Sequence, residues 1–150
     1  MSDIHVKSAD GRIDIQISSD RIMNNVKAAQ NYLDNAVLTD CNQYIPFDNG
    51  KLRESGILNT VLGSGVVQWK TPYAHYQYEG EKYIDPKYHC GAFYVQNVGY
   101  RSRKGVPKVP SGKPLQYHTE GTGDHWFETA KAANGKEWIQ NVKKIAGDQL

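Results

Sequence analysis

From Ile22 an apolar residue recurs at every third or fourth position, through Val26, Ala29 and Leu33 to Val37. That period lays one apolar stripe along a helix, and the stripe needs a packing partner. Ser18, Ser19 and Asp20 stand before it as N-cap residues, so the spacing predicts a helix over residues 21–38. Asn24, Lys27, Asn31 and Asp34 are expected mostly on its polar side. A second, interrupted stripe runs through Trp126, Phe127, Ala130, Trp138, Val142 and Ile145. Gly123-Asp124 opens it, with Asp124 as cap, and Gly147 marks its end. Asn134-Gly135 falls in its middle. Gly costs about 1 kcal/mol against Ala in a helix interior, so that dipeptide is expected to bend the helix or split it in two.

Ahead of the first helix, Ile13, Ile15 and Ile17 alternate with Asp14 and Gln16, the pattern of a half-buried strand. Ala9-Asp10-Gly11 offers a turn to Ile4–Lys7, which predicts a hairpin. Residues 43–80 are punctuated by turn chemistry. Pro46 holds Ile45 extended, and Asp48-Asn49-Gly50 is a turn from which Asp48 is expected to cap a short helix over residues 51–55, ended by Gly56. Residues 57–62 and 66–69 read as two strands joined by Gly63-Ser64-Gly65. Thr71-Pro72 opens another helix, running to Tyr78 or Glu79 before Gly80, with Tyr73, Tyr76 and Gln77 on one face. Leu52, Ile57, Val61, Val67 and Trp69 are core candidates, while Tyr73 and Tyr76 anchor either the core or a subunit contact. Arg53 is expected to pair with Glu54 or another acid, or to bridge to a neighbour. Residues 82–123 lose regularity, apart from a strand expected within residues 92–98. Long loops of that kind are commonly functional or ordered by a partner; a mobile surface excursion is the plain alternative. The chain of 150 residues is thus expected to be one domain, with residues 1–81 and 124–150 as core and 82–123 as an extended loop or arm.

Chemistry is scarce. The two cysteines, Cys41 and Cys90, are expected to be free thiols, since no secretory signal pattern points to an oxidising compartment. Neither they nor the five histidines show the paired spacing of a metal site, so no metal and no cofactor is expected. Ser64 lacks a nucleophile elbow, Gly63-Ser64-Gly65 lacks the lysine of a phosphate loop, and the acid pairs Glu81/Asp85 and Glu120/Asp124 read as solvated loop residues. An enzyme has no residue to rest on. No run reaches membrane-spanning length. Arg101, Arg103, Lys104, Lys108 and Lys113 lie together without an acid, leaving thirteen basic against sixteen acidic residues elsewhere. That segment suits phosphate contacts without base specificity, or an acidic protein partner; a solvated loop is the plain alternative. Ten Tyr and three Trp suit interfaces as well as cores.

Three blocks can be read together. Tyr44-Ile45-Pro46-Phe47-Asp48-Asn49-Gly50-Lys51-Leu52-Arg53, followed by Ser55, resembles the Tyr-Val-Pro-Phe-Asp-x-Gly-x-Leu-Arg-x-Ser signature of the minor capsid proteins of tailed bacteriophages. Trp69-Lys70-Thr71-Pro72-Tyr73-Ala74, with Tyr76 and Gly80, is similar to that family's second signature, and Gly123-Asp124-His125-Trp126-Phe127-Glu128 with Ala130-Lys131 to its third. The resemblance implies a structural virion protein of the head-to-tail joining, neck or tail-completion type, assembled in the host bacterial cytoplasm. It implies an α+β domain in which a short antiparallel sheet packs against a long N-terminal and a long C-terminal helix. It further implies a homo-oligomeric ring around the DNA channel, six- or twelve-fold, between head-completion or adaptor proteins and tail proteins, with no membrane partner. A tail terminator is the near alternative, and a non-sequence-specific nucleic-acid-binding module using residues 101–113 the second. Candidate interface residues are Arg53, Tyr73, Tyr76, Tyr78, Tyr83, Tyr88, Phe93, Tyr94, Tyr100 and Tyr117. Arg101, Arg103, Lys104, Lys108 and Lys113 are the candidates for DNA or an acidic partner.

Overall fold

The first stripe forms a longer helix than its period suggested. A computed structural model describes residues 4–17 and 19–147, so Ser18, one of the cap candidates, lies outside the described residues. Helix α1 spans Ser19–Tyr44. It runs past residue 38 because Leu38 and Cys41 continue the buried face begun at Ala29. Asp34, expected on the polar side, is buried with them, whereas Ile22 and Val26 from the predicted stripe are half exposed. Ahead of α1, strands β1 (Ile4–Lys7) and β2 (Asp14–Ile17) pair antiparallel, as predicted. The strand is not half-buried, however: Ile13 and Ile15 are exposed, as are Ile4 and Val6 across from them.

Helix α2, Lys51–Asn59, passes through Gly56 rather than ending there. A Cβ on Gly56 would lie 2.3 Å from Trp69 Nε1 and 2.9 Å from Leu38 Cδ1. The glycine is required by close packing and not by chain reversal. Its N-cap is Gly50, with φ 79°, in place of the expected Asp48; the side chain that helps is Asn49, whose Oδ1 accepts from Lys51 N at 3.1 Å. The predicted strands at residues 57–62 and 66–69 do not form. The first is the end of α2 and its exit, and Ile57 and Val61 are exposed instead of buried. What replaces the hairpin is a loop held by Asp34, whose Oδ2 accepts from Gly63 N at 2.8 Å and Gly65 N at 3.0 Å. Helix α3 is shorter than expected, Ala74–Glu79, and Gly80 (φ 72°) closes it.

Residues 82–123 carry more structure than their composition suggested. Strand β3 (Glu81–Ile84) pairs antiparallel with β6 (Val109–Pro114), and β4 (Phe93–Val95) with β5 (Gly99–Arg101). Asp85 alone of this segment is buried. Helix α4, Trp126–Ala146, runs unbroken through Asn134-Gly135, because α1 supports it along its length. The two are antiparallel: Trp138 Nε1 donates to Asp40 Oδ2 at 2.6 Å and Asn141 Nδ2 to Tyr32 Oη at 2.6 Å. Its N-cap is His125, with φ 43°, not Asp124.

The protein is therefore α+β, with long N- and C-terminal helices and its antiparallel sheet divided into three two-stranded pairs. The buried core is helical and loop-borne: Cys41, Ile45, Leu52, Ala74, Trp126, Ala130 and Trp138. It is small for the chain. The accessible surface is 10994 Å², whereas a compact monomer of 16.9 kDa exposes about 7,700 Å².

Candidate functional site

Trp126, 2% exposed, is where the three sequence blocks meet. It packs edge-on to Trp69 of the second block, with ring centroids 5.9 Å apart, and to Tyr78 at 4.7 Å. Its indole N–H has no hydrogen-bond partner, so packing alone holds it. The first block supplies Ile45, fully buried, and Leu52. Among the described residues Arg53 has no ion pair with Glu54 or another acid. Its Nε and Nη2 donate to the Ile45 carbonyl at 3.0 and 2.7 Å, and its guanidinium lies over the Phe47 ring at 5.1 Å. Backbone bonds then tie the third block to the other two: Gly123 N donates to Tyr44 O at 3.1 Å and His125 N to Tyr78 O at 3.0 Å.

Electrostatics reinforces this junction. The Tyr78 hydroxyl donates to Glu128 Oε2 at 2.5 Å. Burial and that bond push the phenol up, and the same bond holds the Glu128 carboxyl below its usual range. Burial, with Asp40 and Glu128 nearby, pushes the Cys41 thiol up to about 12. Cys41 is thus a packing residue, and like Cys90 it is free. Tyr117, whose hydroxyl donates to Gln77 O at 2.7 Å, is pushed up to about 12 by burial and then by Asp124. Among the described residues no group of His, Cys, Asp or Glu is arranged to hold a metal ion, and no helix is long and apolar enough to cross a membrane.

The candidate interface tyrosines divide into two sets. Tyr76, Tyr78, Tyr83, Tyr117 and Phe93 are half-buried within the chain, and Tyr76 packs against Tyr83 with rings tilted by 48° and centroids 4.7 Å apart. Tyr73, Tyr88, Tyr94 and Tyr100 are exposed. Tyr94 and Tyr100 face each other across β4–β5, edge to face at 5.6 Å, and are 67% and 74% exposed.

The basic residues divide as well. Arg103 grips Asp85 with two hydrogen bonds of 2.6 and 2.7 Å. Asp85 also accepts from Lys87 N and Tyr88 N, so it is no solvated loop acid. Arg103 and these amides hold its carboxyl well below the usual carboxylate range. Lys108 is turned onto the Gly91 carbonyl. Arg101, Lys104 and Lys113 remain exposed. The Asp85–Arg103 clasp and the Asp34 loop anchor were not foreseen; the signal for Asp34 was its place between Gln30 and Leu38 at helical spacing.

Two apolar areas were also not foreseen. Ile4, Val6, Ile13 and Ile15 of the hairpin are exposed, and so are Ile22, Met23 and Val26 at the start of α1. The second area comprises Ile57, Leu58, Val61, Leu62 and Val66 at the exit of α2. A family model described as minor capsid protein matches residues 6–93, which takes in the first two sequence blocks and stops before the third. Neither curated proteins nor solved structures include a match.

Proposed function

The chain belongs to the bacteriophage minor capsid protein family, and from that membership we propose that it is a neck component, joining head to tail as a ring around the DNA channel. Family membership makes it a structural protein of the virion that contacts other virion proteins. The observation that carries the finer reading is the mismatch between a small core and a surface of 10994 Å², with many large apolar side chains left half exposed. A subunit whose folding is completed by neighbours has that profile. Residues 82–123 fit the role of an assembly arm, projecting Tyr94 and Tyr100 where adjacent subunits or layers would meet them. A tail terminator, also a ring at the end of a tube, is the near variant and uses the same features.

Contact with channel DNA would fall to Arg101, Lys104 and Lys113. Arg103 and Lys108 are engaged within the chain, which weighs against a dedicated nucleic-acid-binding module. Negative-stain imaging of the purified protein tests the reading, with rings as the expected result. Immunogold labelling of intact particles should place the chain at the head–tail junction. Label over the capsid shell would sink the neck assignment. Steep loss of DNA binding between low and moderate salt, without rings, would favour the nucleic-acid module instead.

A further inference from the structure

The β1–β2 hairpin is two-faced. Register pairs Val6 with Ile15, and the period of two puts Ile4 and Ile13 on the same side. His5, Lys7 and Asp14 take the other side, where Asp14 lies 3.4 Å from His5 Nδ1 and 3.8 Å from Lys7 Nζ. All four named apolar side chains are 48–58% exposed. A two-stranded hairpin is at best marginal in water without a surface to pack on. The start of α1 carries exposed apolar side chains of its own. Beyond the Asn141–Tyr32 bond, α4 has only five residues left, or about 7.5 Å of rise. Helix α1 therefore overhangs α4, and Ile22, Met23 and Val26 on the overhang are 49–52% exposed.

The second area is concave. A groove of about 490 Å³ runs between α1 and the exit of α2, lined by Leu38, Asn42, Ile57, Thr60 and Leu62. Leu58, Val61 and Val66, near it in the chain, are 74%, 71% and 54% exposed. The hairpin cannot fill the groove of its own chain. Ser19 and Leu38 are separated by roughly 28 Å along a rigid helix. We propose that the apolar face of the hairpin and the α1 overhang dock on the α1–α2 groove of a second copy of this chain.

The surface supports a second copy as the occupant. The accessible area exceeds that of a compact monomer of this mass by about 3,300 Å². A ring subunit presents two faces, and obligate interfaces take about 1,000–2,500 Å² from each partner, so the excess matches two of them. The two areas are different surfaces, and one of them is a groove. The contact is therefore heterologous, and repetition of it generates a ring or a filament rather than a closed pair. The proposal rests on the reading of the chain as an oligomerising virion component and names the contact that builds the oligomer.

The test uses the full chain and two charged variants, one for each face. Val6→Lys with Ile15→Lys alters the hairpin, and Ile57→Asp with Leu62→Asp alters the groove. A third variant, Met23→Lys, alters the overhang without touching the hairpin and guards against misfolding of the strands. Size-exclusion chromatography with light scattering reads the mass, and circular dichroism confirms the helices. Wild type should assemble, and each double variant should associate about a hundredfold or more weaker. Mixing the two double variants should yield one-to-one heterodimers, because a single intact contact remains between them. Folded variants that assemble like wild type would overturn the docking and leave the ring reading standing. Variants that are monomeric alone and in mixture would overturn the heterologous contact. Wild type monomeric at every concentration would overturn the ring reading as well.

Discussion

Replacing Gly56 by Ala sets two effects of similar size against each other. On helix propensity alone the change should stabilise α2 by about 1 kcal/mol. The structure opposes it. The new methyl would sit 2.3 Å from Trp69 Nε1, 2.7 Å from Trp69 Cδ1 and 2.9 Å from Leu38 Cδ1. Ordinary carbon contacts lie at about 3.5–4.0 Å, so the indole must move by more than about 1 Å. It is not free to do so: its N–H donates to Asn42 Oδ1 at 3.1 Å and its ring meets Trp126. Overpacking costs about 1–3 kcal/mol, the strained hydrogen bond about 1, and part of the aromatic contact adds to these. Net destabilisation of about 2 kcal/mol is expected, or a fall in Tm of about 4–8 °C for a chain of this length. Gly135→Ala in α4 is the matched control. There the added Cβ meets only Lys131 Cγ, at an ordinary 3.4 Å, so propensity should win and stability should rise by about 0.5–1 kcal/mol. Urea unfolding followed by far-UV circular dichroism measures both. If Gly56→Ala is as stable as wild type or more so, the close approach of Trp69 to α2 is wrong.

Other outcomes follow from single contacts. Asp34→Ala removes the acceptor shared by Gly63 N, Gly65 N and Gln30 Nε2. It should cost about 2–4 kcal/mol in urea unfolding, and amide exchange should speed up at residues 63 and 65. Arg103→Ala should flatten the acid limb of the stability curve. The Asp85 carboxyl is held below its ordinary value in the folded state, so its contribution is present above about pH 4 and is lost as pH falls further. Thermal melts should therefore separate wild type from variant most at neutral pH, and the gap should close toward pH 2. An unchanged gap there would remove the Asp85–Arg103 clasp as its cause. Native protein should give one labelled thiol with a bulky disulfide reagent, at Cys90, and two in urea, because Cys41 is fully buried and its thiol is pushed up to about 12.

The long helices were legible because their stripes repeat over many turns, and the hairpin because Asp-Gly stands between alternating residues. The middle of the chain was not. Gly56 looks like a helix stop to any local rule, and only the position of Trp69, thirteen residues on, makes it a packing glycine. Residues 57–62 are apolar enough to read as a strand, yet α2 takes the first three of them and a carboxylate on another helix captures the following glycine amides. Asp34 itself was assigned to the polar side by its type, although its spacing from Gln30 and Leu38 puts it on the buried face. The assembly role came from three short motifs. Those motifs meet in a shared core around Trp126, so the exposed surfaces had to be read from the fold.

The antiparallel pairing of α1 with α4 has a consequence for how the protein is made. Tyr32 and Asp40 wait for Asn141 and Trp138, 109 and 98 residues later in the chain. At bacterial elongation rates that interval is on the order of 5–20 s, during which the part of α1 that packs on α4 has no cover. The hairpin needs only neighbouring residues and closes in about 1–10 μs. Three of the seven core residues, Trp126, Ala130 and Trp138, arrive with the last helix. The nascent chain is therefore expected to be a client for chaperones until α4 has been made. Fragments that end before α4 should aggregate or be degraded, whereas chains that include it should fold.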